Sequence, residues 1–299
     1  MFSIIIPSLN NLKYLENCIK SIKKNSSFNH EIIVHVNIGS DGTVDYLKRE
    51  NIKYSFTEYN AGICEGVNTA SRMSSTNYIL YAHDDFYFCP EWDLCLLNEV
   101  EKIGHKKFYL SGTMIQNGQV TLDCGSNLEN FNENKLLQSY KKINFYDFQG
   151  STWAPHLIHR DTWFAVGGFS EEYFPGTGSD PDLNMKLWKY GVRIFKGLEN
   201  CKVYHFGSIV TRKSKQNLTI TETGSRGGKI FLTKWGYKIS FFNKHYLNGC
   251  VSKSGLIHCK KFTGPLTGPK LNIKYLFDLL LNKISYFYYK IFFKNEIRK

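Results

Sequence analysis

Two hydrophobic periods alternate along the first ninety or so residues, and no other feature restricts the fold of this chain as much. Residues 2 to 6 form a continuous apolar run of strand length, and residues 11 to 24 carry Leu12, Leu15, Cys18, Ile19 and Ile22 at helical spacing. Glu31 to Val36 is a second strand. Gly39-Ser40-Asp41-Gly42 is turn chemistry opening a short helix, Ile52 to Phe56 a third strand, Ala61 to Ser71 a helix, and Tyr78 to Ala82 a fourth strand. Strands separated by helices need crossover connections, so the pattern predicts an α/β fold with a mostly parallel central sheet flanked by helices.

In such sheets the ligand sits outside the carboxyl ends of the strands. The fourth strand runs into "YILYAHDDFYF", which places Asp84 and Asp85 at that edge. Successive side chains leaving a strand point in opposite directions, so one carboxylate can hold a divalent cation while its neighbour reaches another part of the same ligand. The alternative is a pair that ends the strand and caps the helix opened by Pro90-Glu91-Trp92-Asp93. A second acidic cluster lies in "GSDPDLNMKLW", where Asp180 at N-cap, Pro181 at N1 and Gly191 past the end predict a helix. Capping alone accounts for Asp180 and Asp182 there. Lys202 to Phe206 is a strand containing His205, which is either structural or a ligand.

Composition narrows the partners. The 299 residues are 42% hydrophobic, enough for a sizeable core, and Lys+Arg outnumber Asp+Glu by 38 to 26. The net charge of +12 favours anionic partners: nucleotide phosphates, an acidic bilayer or nucleic acid. None of the 8 cysteines forms the C-x-x-C spacing of a zinc or redox site, and scattered cysteines fit small buried hydrophobes in a reducing cytoplasm. The start has no basic segment and too short an apolar run for a secretory signal.

Taken in order, "FSIIIPSLNN", "EIIVHVNIGSDGT", "NAGICEGVN", "HDD", "VGGFSEEYF", "SDPDLNMKLW" and "VYHFGS" resemble the family 2 glycosyltransferases of the GT-A, Rossmann-like fold, over roughly residues 1 to 210. The chain is similar to bacterial members that build surface polysaccharide or lipopolysaccharide. The resemblance implies an inverting transfer from a nucleotide-sugar donor to a glycan or lipid-linked acceptor, with Mn2+ or Mg2+ as cofactor. It implies Asp85 as metal ligand, Asp84 directed to the ribose or the metal shell, and His205 as a further ligand to metal or diphosphate. Asp180 becomes the general base and Asp182 a supporting carboxylate, while Pro7, Ser8, Asn10, Asn37, Asn60, Gly62 and Asn68 stand in the donor-binding motifs. Two positions depart from the family pattern. Val36-Asn37 replaces the Asp that often reads the base, and Val67 stands where an Arg commonly precedes the Asn68 position. Arg226, in the glycine-rich stretch 223–229, is a substitute cation over the diphosphate or part of a plain surface turn.

Between the acidic clusters, "GSTWAPHLIHRDTWFA" offers Trp153 and His156 as a sugar platform, with core packing as the alternative. The expected organisation is a catalytic domain over 1–235, with a nucleotide-sugar half (1–110) and an acceptor half (111–235), followed by a helical C-terminal extension (236–299). In that extension residues 270–299 are apolar and aromatic with interspersed lysines, too interrupted to cross a membrane. They suit either the inner face of an anionic membrane or packing against the catalytic domain. A sugar-phosphate nucleotidylyltransferase is disfavoured because "PSLNN" follows the first strand in place of a G-x-G-x-R loop, and a nucleic-acid-binding module leaves the ordered acidic clusters without a role.

Overall fold

The computed structural model describes residues 1–150, 152–207, 220–253 and 256–292. Its first half follows the sequence pattern within one or two residues, except that β1 runs three residues past the expected end: β1 (Ser3–Leu9), α1 (Leu12–Asn25), β2 (Glu31–Asn37), α2 (Thr43–Arg49), β3 (Lys53–Thr57), α3 (Gly62–Ser71) and β4 (Tyr78–Tyr81). These strands lie in the order β3-β2-β1-β4, all parallel, with Ser3 opposite Glu31 and Leu9 opposite Asn37. Ile4, Ile5 and Ile6 are fully buried, which is why β1 reads as a continuous apolar run. Burial of each such side chain contributes about 1.5–3 kcal/mol. On α1, Leu15, Cys18, Ile19 and Ile22 face this sheet as the helical spacing requires.

The second half is mixed. After β5 (Phe86–Phe88) and α4 (Trp92–Ile103) come β6 (Phe108–Ile115), α5 (Glu133–Ser139), β7 (Phe148–Gln149), β8 (His156–His159), α6 (Arg160–Ala165), α7 (Ser179–Tyr190) and β9 (Ile194–His205). The sheet continues β4-β8-β6-β9-β5, with β8 antiparallel to both its neighbours and β6 parallel to β9. The wholly parallel part is thus the run β3-β2-β1-β4, and the second half combines antiparallel pairs with the parallel pair β6–β9. At the far edge β5 runs antiparallel to β9, pairing Phe86 with His205.

Beyond β9 come α8 (Ile220–Trp235), α9 (Ile239–Phe242), a hairpin of β10 (Val251–Lys253) and β11 (Leu256–His258), and α10 (Ile273–Phe292). The glycine-rich stretch around Arg226 is therefore helical, and the surface-turn and phosphate-loop readings are both corrected. Glycine serves packing there: a Cβ on Gly227 would stand 2.1 Å from the Thr177 carbonyl oxygen, so the helix can approach the loop before α7 only with hydrogen at that position. Cys18, Cys64, Cys89, Cys124 and Cys201 are free and buried, as expected of small hydrophobes, Cys95 is free and half-buried, and Cys250 and Cys259 are joined by a disulfide across the hairpin. Lys294, Arg298 and Lys299 of the basic tail lie outside the described residues.

Candidate functional site

The carboxyl ends of β1, β2 and β4 and the start of α3 bring the first group of residues together. Ser8 is the penultimate residue of β1 and its hydroxyl donates to Asp84 Oδ2 at 2.7 Å, inside the protein. Burial and the neighbouring Asp85 charge push the Asp84 carboxyl up to about 7, against the opposing pull of the Ser8 hydrogen bond. Asn37 ends β2, accepts from the Ala61 amide at 2.8 Å and donates to the Ser8 carbonyl at 3.4 Å, fastening the strand ends to α3. Asn10 takes a left-handed conformation (φ 47°) and accepts from the Ser40 amide. Asn60 turns the chain into α3 by accepting from the Gly62 amide, and Gly62 has φ 73° with Phe174 against its α-carbon. Pro7 is half-buried within β1. Asn68 is occupied elsewhere: its amide donates to Phe169 O and Glu171 and accepts from Phe169 N, tying α3 to the "GGFSEE" loop.

Pairing of β5 with β9 builds the second group. Because Phe86 opposes His205 and the Phe206 amide donates to Asp85 O at 3.2 Å, the Asp85 and His205 side chains converge. His205 Nε2 stands 3.5 Å from Asp85 Oδ2, and His83 Nδ1 stands 4.0 Å from Asp85 Oδ1. One ligand atom from each of His83, Asp85 and His205 lies within 4.8 Å of the others, and His205 Nε2 is buried without a hydrogen-bond partner among the described residues. Burial lowers His83 to about 4, so its imidazole is neutral and free to donate a lone pair. This donor set fits a divalent cation. Two imidazoles suit a first-row transition ion better than Mg2+, which prefers oxygen ligands. His83 was not among the sequence candidates; it lies within the "HDD" motif, but its convergence with His205 depends on strand pairing.

The third group surrounds α7. The expected cap is not there: the N-cap position is Gly178, left-handed at φ 93°, and no side chain caps the helix. Asp180 sits inside the first turn, half-buried, and its Oδ1 has no hydrogen-bond partner among the described residues. Desolvation raises this carboxyl to about 7. Both acidic clusters bear on one side chain, since burial first and then the charges of Asp180, Asp84 and Asp85 hold the Tyr81 hydroxyl well above its usual range. Asp182 differs in every respect. It is fully buried and accepts from Ser170 (2.6 Å), Trp235 Nε1 (2.7 Å) and Tyr173 (3.3 Å), with the Lys234 ammonium at 3.0 Å. It is the hub that joins α7 to α8.

Three candidates fall outside this arrangement or at its edge. His156 is enclosed at 1% exposure among Tyr81, Tyr109 and Phe169, and its Nδ1 lies 3.0 Å from the Tyr109 hydroxyl. Burial lowers it to about 3, which makes it a neutral core residue, so the platform reading is corrected for His156. Trp153 packs half-buried against the core. Arg226 is exposed and donates to the Phe174 carbonyl at 2.7 Å, on the loop leading to Asp180. A cavity of about 610 Å³ that includes Glu91, Glu99, Asp147 and Lys202 shares no residue with any of these groups.

A half-parallel α/β sheet with acidic groups gathered at its carboxyl edge puts the candidate site where open α/β sheets bind their ligands. The sequence profile of Glycosyl transferase family 2 matches residues 3–156, half of the chain, and the protein belongs to that family. It is an enzyme of glycosyl transfer with a GT-A fold. Among solved structures it is similar to S. aureus TarS 1-349 (18% identity, 81% of this chain and 73% of that one, TM-score 0.53). The same TarS fragment in complex with UDP-GlcNAc gives 16% identity over 81% and 74%, with TM-score 0.51. GalNAc-T7 with UDP, GalNAc and Mn2+ gives 14% identity and TM-score 0.53, over 69% of this chain but 43% of that longer one. No curated protein sequence matches this chain.

Proposed function

We propose that this protein is an inverting, divalent-cation-dependent glycosyltransferase that moves a sugar from a nucleotide diphosphate to a hydroxyl of a glycan or lipid-linked acceptor. The observation that carries this reading is a pair of unlike sites that both bear on Tyr81: a His83–Asp85–His205 cluster, and the raised carboxyl of Asp180, whose Oδ1 has no hydrogen-bond partner among the described residues. The neighbours solved with UDP-GlcNAc and with UDP and Mn2+ support the donor class and the cation.

In this reading residues 1–235 form the catalytic domain and 236–299 an extension. Asn10, Asn60 and Gly62 line the donor end, with Ser8 and Asn37 holding the strand ends in place. Asp84 faces the ribose. His83, Asp85 and His205 would hold a cation of Mn2+ type, and the chemistry it would supply there is neutralisation of charge on the departing diphosphate. Asp180 accepts the proton of the acceptor hydroxyl as that oxygen attacks the anomeric carbon from the face opposite the nucleotide. An anion near 7 is a stronger base than an ordinary carboxylate and is still ionised in a useful fraction at neutral pH. Asp182 fixes α7, and therefore Asp180, through Trp235 and Lys234. The likeness of the sequence motifs to bacterial enzymes of surface polysaccharide supports an acceptor at the cytoplasmic face of a membrane.

Calorimetric titration of UDP and of other nucleoside diphosphates tests this assignment. Binding should require Mn2+ and fall by at least about tenfold in Asp85→Asn. Equal affinity in chelator and in the variant would remove the metal from the account.

A further inference from the structure

Helix α10 is inside out. Over Ile273–Phe292 it turns its polar face toward the protein: Asn282, 2% exposed, donates to Gly236 O and accepts from Lys238 N, both at 2.7 Å. One turn earlier Asp278 pairs with Lys244 and with His245, and Tyr275 packs on Phe241. These inward polar contacts fix the rotation of the helix. Its outward stripe is Ile273, Leu276, Leu280, Ile284, Phe287 and Ile291, each between 56 and 87% exposed. At 3.6 residues per turn the exposed apolar side chains cover an arc of roughly 160°. A contiguous surface of this kind on a soluble chain marks an interaction site.

The charges select what covers it. Lys274 borders the apolar arc on one side, and Lys283 and Lys290 border it on the other, all three exposed. The one acidic residue of the helix, Asp278, is turned away and paired. Two copies packed face to face would therefore bring lysine rows together with no outward carboxylate to meet them. An anionic lipid surface meets both requirements, with acyl chains under the stripe and headgroup phosphates beside the lysines. No helix among the described residues is long and apolar enough to cross a membrane.

We infer that α10 lies in the plane of an anionic membrane with this stripe inserted about 5–10 Å and the lysines at headgroup level. The inference deepens the glycosyltransferase reading by giving the enzyme its surface, and its evidence does not depend on that reading.

Full-length protein is floated with vesicles of neutral phosphatidylcholine and with vesicles in which about a third of the lipid is phosphatidylglycerol. Binding should be strong to the second and weaker in high salt, where screening shortens to a few ångströms. Lys274→Gln/Lys283→Gln/Lys290→Gln should reduce binding about a hundredfold, as each lysine near such a surface contributes about fivefold. Leu280→Gln/Ile284→Gln/Phe287→Gln alters exposed positions alone, so it should fold normally and lose binding to both vesicles. Donor hydrolysis in solution, measured on the same variants, reports separately on the enzyme. The inference is overturned if the wild-type chain stays with the soluble fraction, or if it is a dimer in solution that the apolar triple variant dissociates. It is equally overturned if that variant still floats.

Discussion

Replacing Asp180 with Asn should make the protein more stable and nearly inactive, and the two effects have one cause. The carboxyl is half-buried, its Oδ1 lacks a partner among the described residues, and it is raised from 3.8 to about 7 by desolvation. An unfolded Asp ionises near its ordinary value, so between about pH 4 and 7 the unfolded form releases a proton that the folded form keeps, and stability falls as pH rises. Above about pH 7 the full penalty is present. At about 1.36 kcal/mol per pH unit the shift sets a ceiling near 4 kcal/mol, and solvent screening at a half-buried site reduces the expected value to about 1–2 kcal/mol. Asn is neutral, so the variant should melt about 2–6 °C higher at pH 8 and within a degree or so of wild type near pH 4. Its turnover should drop by a factor of about a hundred or more, with donor affinity unchanged. Thermal melts across pH, with calorimetry and product formation on the same samples, test all three. An Asn variant that is less stable at pH 8, or that turns over at the wild-type rate, would refute the assignment of Asp180 as a strained base.

Three other outcomes follow from the same geometry. kcat/KM should climb with pH through about 7 as Asp180 ionises, and a flat profile between about pH 5.5 and 8 would contradict it. His83→Gln should weaken Mn2+ binding, followed by electron paramagnetic resonance, by at least about tenfold; unchanged affinity would leave Asp85 and His205 without their third ligand. Gly227→Ala places a better helix former in α8, worth about 1 kcal/mol, yet its Cβ would meet backbone at 2.1 Å. Overpacking should win, and denaturant titration should show a net loss of about 1–2 kcal/mol, whereas a gain would mean that α8 is free to shift.

The legible part of the sequence was the part in which each element carries its own period. From β1 to β4 a strand or helix is specified by local apolar spacing, so its limits came out within a residue or two, save the end of β1, where Pro7-Ser8 breaks the apolar run and hid three further strand residues. Asp84 and Asp85 were legible for the same reason, since a strand end and a pair of carboxylates are both local facts. His83 was not, because only the antiparallel pairing of β5 with β9 brings His205 to it, and no local pattern encodes a partner more than a hundred residues away. The helix at Asp180 was read correctly and its cap wrongly: Gly178 in the left-handed region begins the turn two residues earlier, which leaves the carboxylate without the capping bond that would have explained it. His156 looked like a sugar contact from its Trp and Pro neighbours, but β8 is an interior strand, and an interior strand encloses its side chains. In α8 the glycines suggested a loop because their effect on chain entropy is local, whereas the close approach to Thr177 that uses one of them is tertiary. The tail showed aromatic and basic residues without showing which face turned outward, since that depends on Asn282 finding Gly236 and Lys238.

The central claim is that this chain splits a nucleotide sugar with inversion, and proton NMR of a donor panel tests it most directly. With Mn2+ present, one nucleotide sugar should be consumed, its nucleoside diphosphate should appear, and the first anomer formed should have the configuration opposite to that of the donor. Asp85→Asn and Asp180→Asn should both remain silent on that donor. Consumption with retained configuration, or undiminished consumption in chelator, would contradict the account.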